Sequence, residues 1–177
     1  MNKQQQALPA TRYSATSRLL HWLSALVILW ATISGFLSIS PLLSESTKAL
    51  IAGFNVSVTL VFIPFFIWRI LHRVTNPPPA MPSLLNDKQR KAAKAAHIGL
   101  YSLVSVVLIS GTLMMESSFS FFGLFDVPCL ISHEPTNHCF AWIHSWSTRL
   151  LAVLILLHLF ALIKHHKNGI KLLGRMM

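Results

Sequence analysis

Acidic residues are almost missing from this chain: five aspartates and glutamates stand against fifteen lysines and arginines in 177 residues. No two of the five form a close carboxylate pair of the kind that general acid–base hydrolysis uses. A glycine-rich phosphate loop is also missing, and no Ser/His/Asp order can be traced, so nothing supports hydrolytic chemistry. Charged residues of both signs reach only 11%, where a soluble domain carries about 25%. Cysteine is scarce, with two residues, Cys129 and Cys139, in one segment.

Apolar residues fill the space, at 53% of the chain and a mean hydropathy of +0.56. Four runs, about 19–40, 49–72, 97–115 and 141–163, each approach the ~20 residues that a membrane-spanning helix needs. The expected fold is all-α: a transmembrane four-helix bundle forming one membrane domain over residues 1–177. The first run is too long for a signal-peptide core and lacks a small-x-small cleavage site after it. Residues 1–11 are polar, Gln-rich and expected to fray, and Ser14, Thr16 or Ser17 can cap span one.

A net charge of +10 reads as a nucleic-acid signal until the charges are placed on this topology. Lys3, Arg12 and Arg18 precede span one, and Arg69, Arg73, Lys88, Arg90, Lys91 and Lys94 fall around the loop between spans two and three. Lys164, Lys167, Lys171 and Arg175 follow span four. The other two connections hold Lys48 with Glu45, then Glu116, Asp126 and Glu134. Positive loops stay cytoplasmic, so both termini are expected inside, with the basic charge serving topology and contact with anionic membrane lipid rather than nucleic acid. Within the basic loop 73–96, Pro77-Pro78-Pro79 and Pro82 end span two and favour extended chain, and Asp87–Lys94 can open a helix into span three.

Four histidines sit in these apolar runs: His21, His97, His144 and His158. An imidazole buried in hydrocarbon needs a partner. His144 and His158 are fourteen residues apart, about forty degrees short of four turns, so both leave one helix face some ~21 Å apart. That pattern suits ligands to two redox centres stacked across a bilayer. His21 opens span one and His158 lies toward the inner end of span four, which lets them face each other as a six-coordinate haem iron requires. His97 is at a similar or shallower depth, and His165 and His166 lie at the inner membrane face.

The order Arg18-Leu-Leu-His21-Trp22, Trp68-Arg69 before the prolines, His97-Ile-Gly-Leu-Tyr101, then His144 and His158 followed by Lys164-His165-His166 resembles the bacterial cytochrome b-561 family. The resemblance runs from about Tyr13 to Arg175. It implies haem b, a quinone (ubiquinone) as electron acceptor and electron donors at the outer, periplasmic face of the bacterial inner membrane. One activity it implies is superoxide oxidation, which would make the chain a quinone-linked oxidoreductase. By resemblance His21 and His158 match the ligands of the inner haem, and His144 matches the span-four ligand of the outer one. The remaining ligand is expected fourteen residues before Arg69, where this chain has Asn55. An amide nitrogen is not basic, and His72 lies at the wrong end to replace it.

Three arrangements are open for the outer centre. It is absent, with Asn55 hydrogen-bonded to His144; or it is five-coordinate on His144; or His133 or His138 folds in from the outer loop. That loop gathers Cys129, His133, His138 and Cys139, from which a Cys129–Cys139 disulfide is expected ahead of a metal site. Arg149, inside span four, is expected to snorkel outward, pair with Glu116 or reach a haem propionate. Gly35, Gly53, Gly99 and Gly111 suggest close approach of helices or of a haem plane.

The sequence reading is therefore a haem b electron-transfer protein of the membrane. His97, His165 and His166 are candidates for quinone or propionate contacts, because each combines a switchable proton with the inner interface. Acidic outer loops count mildly against attracting an anion such as superoxide. Two other readings are a haem-binding membrane anchor of a larger redox complex, and a non-redox metal or small-molecule carrier using the outer Cys/His loop.

Overall fold

The computed structural model describes residues 12–81, 84–170 and 172–177. The Gln-rich segment with Lys3, and also Pro82 and Lys171, lie outside the described residues.

Four helices carry the chain: α1 (Ala15–Ser38), α2 (Glu45–Thr75), α3 (Asp87–Leu113) and α4 (Glu134–Lys167). All four are long and apolar enough to cross a membrane. Each outruns its apolar stretch at one end or both, because polar flanks supply caps. The Ser14 side chain accepts from Ser17 N at 3.2 Å to start α1, and Ser44 accepts from Thr47 N at 3.3 Å to start α2. Asn86 and Gln89 form a reciprocal capping box, so α3 begins at Asp87, well before the apolar run. Pro77 follows the cap of α2, and Pro135 occupies the first turn of α4.

The helices associate as two hairpins, α1 with α2 and α3 with α4, joined by a slender α2–α3 contact. Small hydroxyl residues line the seams. Ser24, Ser57, Ser110 and Ser147 are all buried, and each donates to a carbonyl one turn back in its own helix, at 2.6–2.9 Å. Phe62, Phe66, Val104 and Leu151 form a compact apolar layer midway along the bundle. Outward-facing side chains are large and apolar as well: Leu26 is 67% exposed, Leu156 66% and Phe160 66%. In water such a surface would drive aggregation; in lipid it is the natural solvent-facing side.

One element departs from the all-helical expectation. Strands β1 (Phe119–Phe121) and β2 (Phe125–Val127) pair antiparallel, with Phe119 opposite Val127. Phe122 (φ 50°) and Gly123 (φ 75°) make the turn, and Leu124 N donates to Phe121 O at 2.9 Å. A phenylalanine at positive φ is uncommon. Here its N–H donates to Ser57 Oγ at 3.0 Å and its ring packs edge-on against Phe54, which seats the hairpin on α2. The opposite end of the bundle carries both described chain ends. Tyr13 N donates to Arg175 O at 3.1 Å, Trp22 Nε1 to Met176 O at 2.9 Å, and Arg18 to Met177 O. This end is termed inner and the hairpin end outer.

Candidate functional site

Because the two hairpins touch only thinly, the slot between them stays open as two cavities, one on each side of the apolar layer. Val104 and Ile28 border both.

The inner cavity, about 240 Å³, gathers His21 from α1, His97 from α3 and His158 from α4, with Arg69, His72, Arg73 and Tyr101 beside them. The His97 and His158 rings lie 5.6 Å apart, centre to centre. These belong to one hairpin, and His21 belongs to the other. Arg69 Nη2 is 3.1 Å from His21 Nδ1, and its guanidinium stands 5.1 Å from the centre of the Tyr101 ring. A guanidinium can only donate, so His21 Nδ1 accepts and the proton of the neutral ring resides on Nε2. His72 lies at the mouth, hydrogen-bonded to Ser14 Oγ at 3.2 Å and Asn76 Nδ2 at 3.1 Å.

The outer cavity, about 110 Å³, is lined by His144 from one hairpin and Asn55 from the other. His144 is pressed against α3. Its Nδ1 donates to Val107 O at 3.1 Å and lies 3.3 Å from Ser110 Oγ, which leaves Nε2 with a free lone pair. Gly111 permits this close approach: a Cβ there would fall 2.9 Å from His144 Cε1. Asn55 Oδ1 is buried with no hydrogen-bond partner. Gly35 lines the same cavity, and a Cβ on it would meet nothing within 4 Å.

These residues fit haem. The inner cavity supplies imidazoles from both sides of the slot and a cation suited to a carboxylate. The outer one supplies an imidazole with Nε2 uncommitted on one side, a buried amide oxygen without a partner on the other, and space beside Gly35.

Sequence expectations fare unevenly. His21, His97 and His158 come together at one level, and His144 lines a separate cavity. His165 lines neither; it lies near the end of α4 with Nδ1 buried and unpartnered. Asn55 and His144 share a cavity, yet no hydrogen bond joins them: His144 Nδ1 is engaged by Val107 O, and Asn55 Oδ1 has no partner. His133 and His138 do not fold in: His133 Nδ1 is 2.7 Å from Thr136 Oγ1, and His138 is 3.7 Å from Glu134. The expected disulfide is not formed. Cys129 and Cys139 are free thiols, with Cys129 Sγ 3.2 Å from Ser132 Oγ. Among the described residues, no three His, Cys, Asp or Glu side chains converge as a metal site. Arg149 bonds to Ser145 one turn outward and lies over the Trp146 ring at 5.6 Å, so it snorkels along its own helix. Gly99 and Gly111 sit at close approaches, whereas Gly35 and Gly53 face open space.

Nothing in the sequence pattern marks Arg69, Tyr101 or Asn137 as acting inside the protein. Arg69 reads as one more topogenic charge at a span end. Asn137 is fully buried, with Nδ2 donating to Leu113 O, Met115 O and Ile131 O at 2.9–3.0 Å, which ties α4 to the outer end of α3.

Residues 12–177 match the family model of prokaryotic cytochrome b561. Over 159 residues the chain is 30% identical to cytochrome b561 homolog 2 of Escherichia coli (strain K12), covering 88% of this chain and 85% of that protein. With four spanning helices and two histidine-lined cavities between them, the chain belongs to the prokaryotic cytochrome b561 family and is a multi-pass membrane protein of haem b electron transfer.

Proposed function

We propose that the protein holds two haem b groups, one above the other in the slot between its hairpins, and passes electrons through them between a periplasmic donor and the quinone pool. The observation that carries this reading is the pair of stacked cavities, with His158 lining one and His144 the other on the same helix. Fourteen residues at 1.5 Å rise separate the two histidines by ~21 Å along α4. The basic inner end supports an orientation with both termini cytoplasmic in the bacterial inner membrane.

At the inner site His21 and His158 would hold the haem iron, and His97 stands beside His158. Bound haem supplies one-electron chemistry; the chain supplies ligands, orientation and charge. For His21 to hold haem through Nε2, its ring would carry the proton on Nδ1 instead, and Arg69 would give up that nitrogen. The guanidinium is then free to meet a propionate. Phe62, Phe66, Val104 and Leu151 keep water out of the space between the centres. His97, His72 and Arg73 give the inner mouth a polar rim for a ubiquinone headgroup, and His165 is assigned to the adjoining membrane surface. Superoxide is one donor compatible with the family, acting against the acidic outer loops. The carrier reading loses ground because the outer Cys/His residues do not converge.

Purified protein should show a reduced-minus-oxidised b-type spectrum with two haems per chain and should reduce ubiquinone when given a one-electron donor. His21→Ala and His158→Ala should each remove the inner low-spin signal. Full retention of that signal in both variants refutes the ligand pair. Haem without any quinone reduction favours the anchor-subunit reading.

A further inference from the structure

We propose that the outer centre presents an open coordination position that takes small diatomic ligands, with the Asn55 amide holding them. This rests on the outer cavity binding haem. His144 reaches the cavity from the α3/α4 hairpin, so a second strong ligand has to come from the α1/α2 hairpin across the slot. That hairpin contributes only apolar side chains, Gly35, Thr32, Thr59 and Asn55. Thr32 Oγ1 is committed to Ile28 O at 2.7 Å, and Thr59 Oγ1 to Asn55 O at 2.8 Å. Asn55 has the one polar group there without a partner, its buried Oδ1. Its amide lone pair is delocalised, which makes it a poor ligand to iron but a good hydrogen-bonding group.

Other candidates fail on position. Met114 and Met115 border the cavity from the end of α3, in the same hairpin as His144. His133 and His138 are engaged in the outer loop. The inner site differs sharply, with imidazoles available on both sides of the slot. One strong axial bond at the outer iron leaves the opposite face to a ligand that enters an apolar space and meets a single amide. A neutral π-acceptor diatomic, of which carbon monoxide and nitric oxide are examples, has that chemistry: it needs no counter-charge, and its outer atom accepts from an N–H, which Asn55 presents once its amide turns about the terminal torsion and brings Nδ2 to the place of the unpartnered Oδ1.

The test is carbon monoxide titrated into reduced, detergent-purified protein, read by optical and infrared spectroscopy beside a haem-to-protein ratio. One of the two haems should bind it and the other should stay low-spin. Asn55→His should abolish the adduct and convert the outer haem to low-spin. Asn55→Leu should keep the adduct, raise the carbon–oxygen stretching frequency and speed dissociation roughly twofold to tenfold, the weight of one neutral hydrogen bond. Two haems per chain with no adduct overturn the proposal and leave the two-haem reading standing. A thioether-to-iron band would overturn it in favour of Met114 or Met115. One haem per chain, low-spin and inert to carbon monoxide, overturns the two-haem reading itself. An unchanged stretch in Asn55→Leu removes the amide from the site.

Discussion

Gly111→Ala examines how His144 is seated. The added Cβ would lie 2.9 Å from His144 Cε1 and 3.1 Å from Nδ1, closer than packed atoms tolerate. The ring cannot simply slide away, because its Nδ1–H is held by Val107 O at 3.1 Å. Overpacking of this kind costs about 1–3 kcal/mol, and a lost neutral hydrogen bond adds about 0.5–1.5. Alanine in the last turn of α3 returns at most about 1 kcal/mol over glycine, so the net loss is about 0.5–4.5 kcal/mol. For a chain of this length each kcal/mol lowers the melting temperature by roughly 2–4 °C. Gly53→Ala is the control, since its Cβ would meet nothing within 4 Å and should be neutral or mildly stabilising. Gly35→Ala separates folding from cofactor binding: it too meets open space, but that space belongs to the outer cavity. It should leave the apoprotein intact and lower outer-haem content. Thermal unfolding followed by tryptophan fluorescence in detergent, with haem content measured alongside, reads all three. If Gly111→Ala melts with Gly53→Ala and keeps an unaltered outer-haem spectrum, His144 is not held against α3 as described.

Asn137→Ala removes the amide that bridges three carbonyls and accepts from His133 N at 3.1 Å. It should cost about 2–4 kcal/mol, seen as a lower melting temperature, and a change under 0.5 kcal/mol would mean the tie is not formed. Arg69→Gln removes a cation from beside the inner histidines and should lower the inner haem's midpoint potential in a redox titration, because the charge opposes the oxidised iron; an unchanged potential places Arg69 away from the centre. Denatured, unreduced protein should take a thiol label at both Cys129 and Cys139, which are free in the structure; a sample that takes no label restores the bridge.

Helix number and type were legible because membrane insertion imposes long apolar runs, and a bilayer leaves little else for such runs to do. Helix ends were less so. Ser14, Ser44 and the Asn86–Gln89 box start helices where side chains meet backbone N–H groups, and these polar starts lie outside the apolar runs. The β-hairpin is not legible in the sequence because six residues of strand carry little periodicity, and its positive-φ Phe122 is secured by Ser57 from another element. The separation of His144 from His158 followed from helix geometry alone. Their sorting into different cavities did not, because it depends on the Phe62, Phe66, Val104 and Leu151 layer drawn from three helices.

Local periodicity, charge placement and ligand chemistry belong to the sequence itself, and they determined a four-span membrane bundle with histidines at two depths. Tertiary structure decided the partners. Arg69 rests on His21 because α1 packs on α2, and Val107 orients His144 because Gly111 lets α3 and α4 close together. Asn55 Oδ1 lacks a partner at the outer cavity because the two hairpins stand apart there. Each of these depends on the distance between residues far apart in the chain, a quantity that spacing along one helix does not contain.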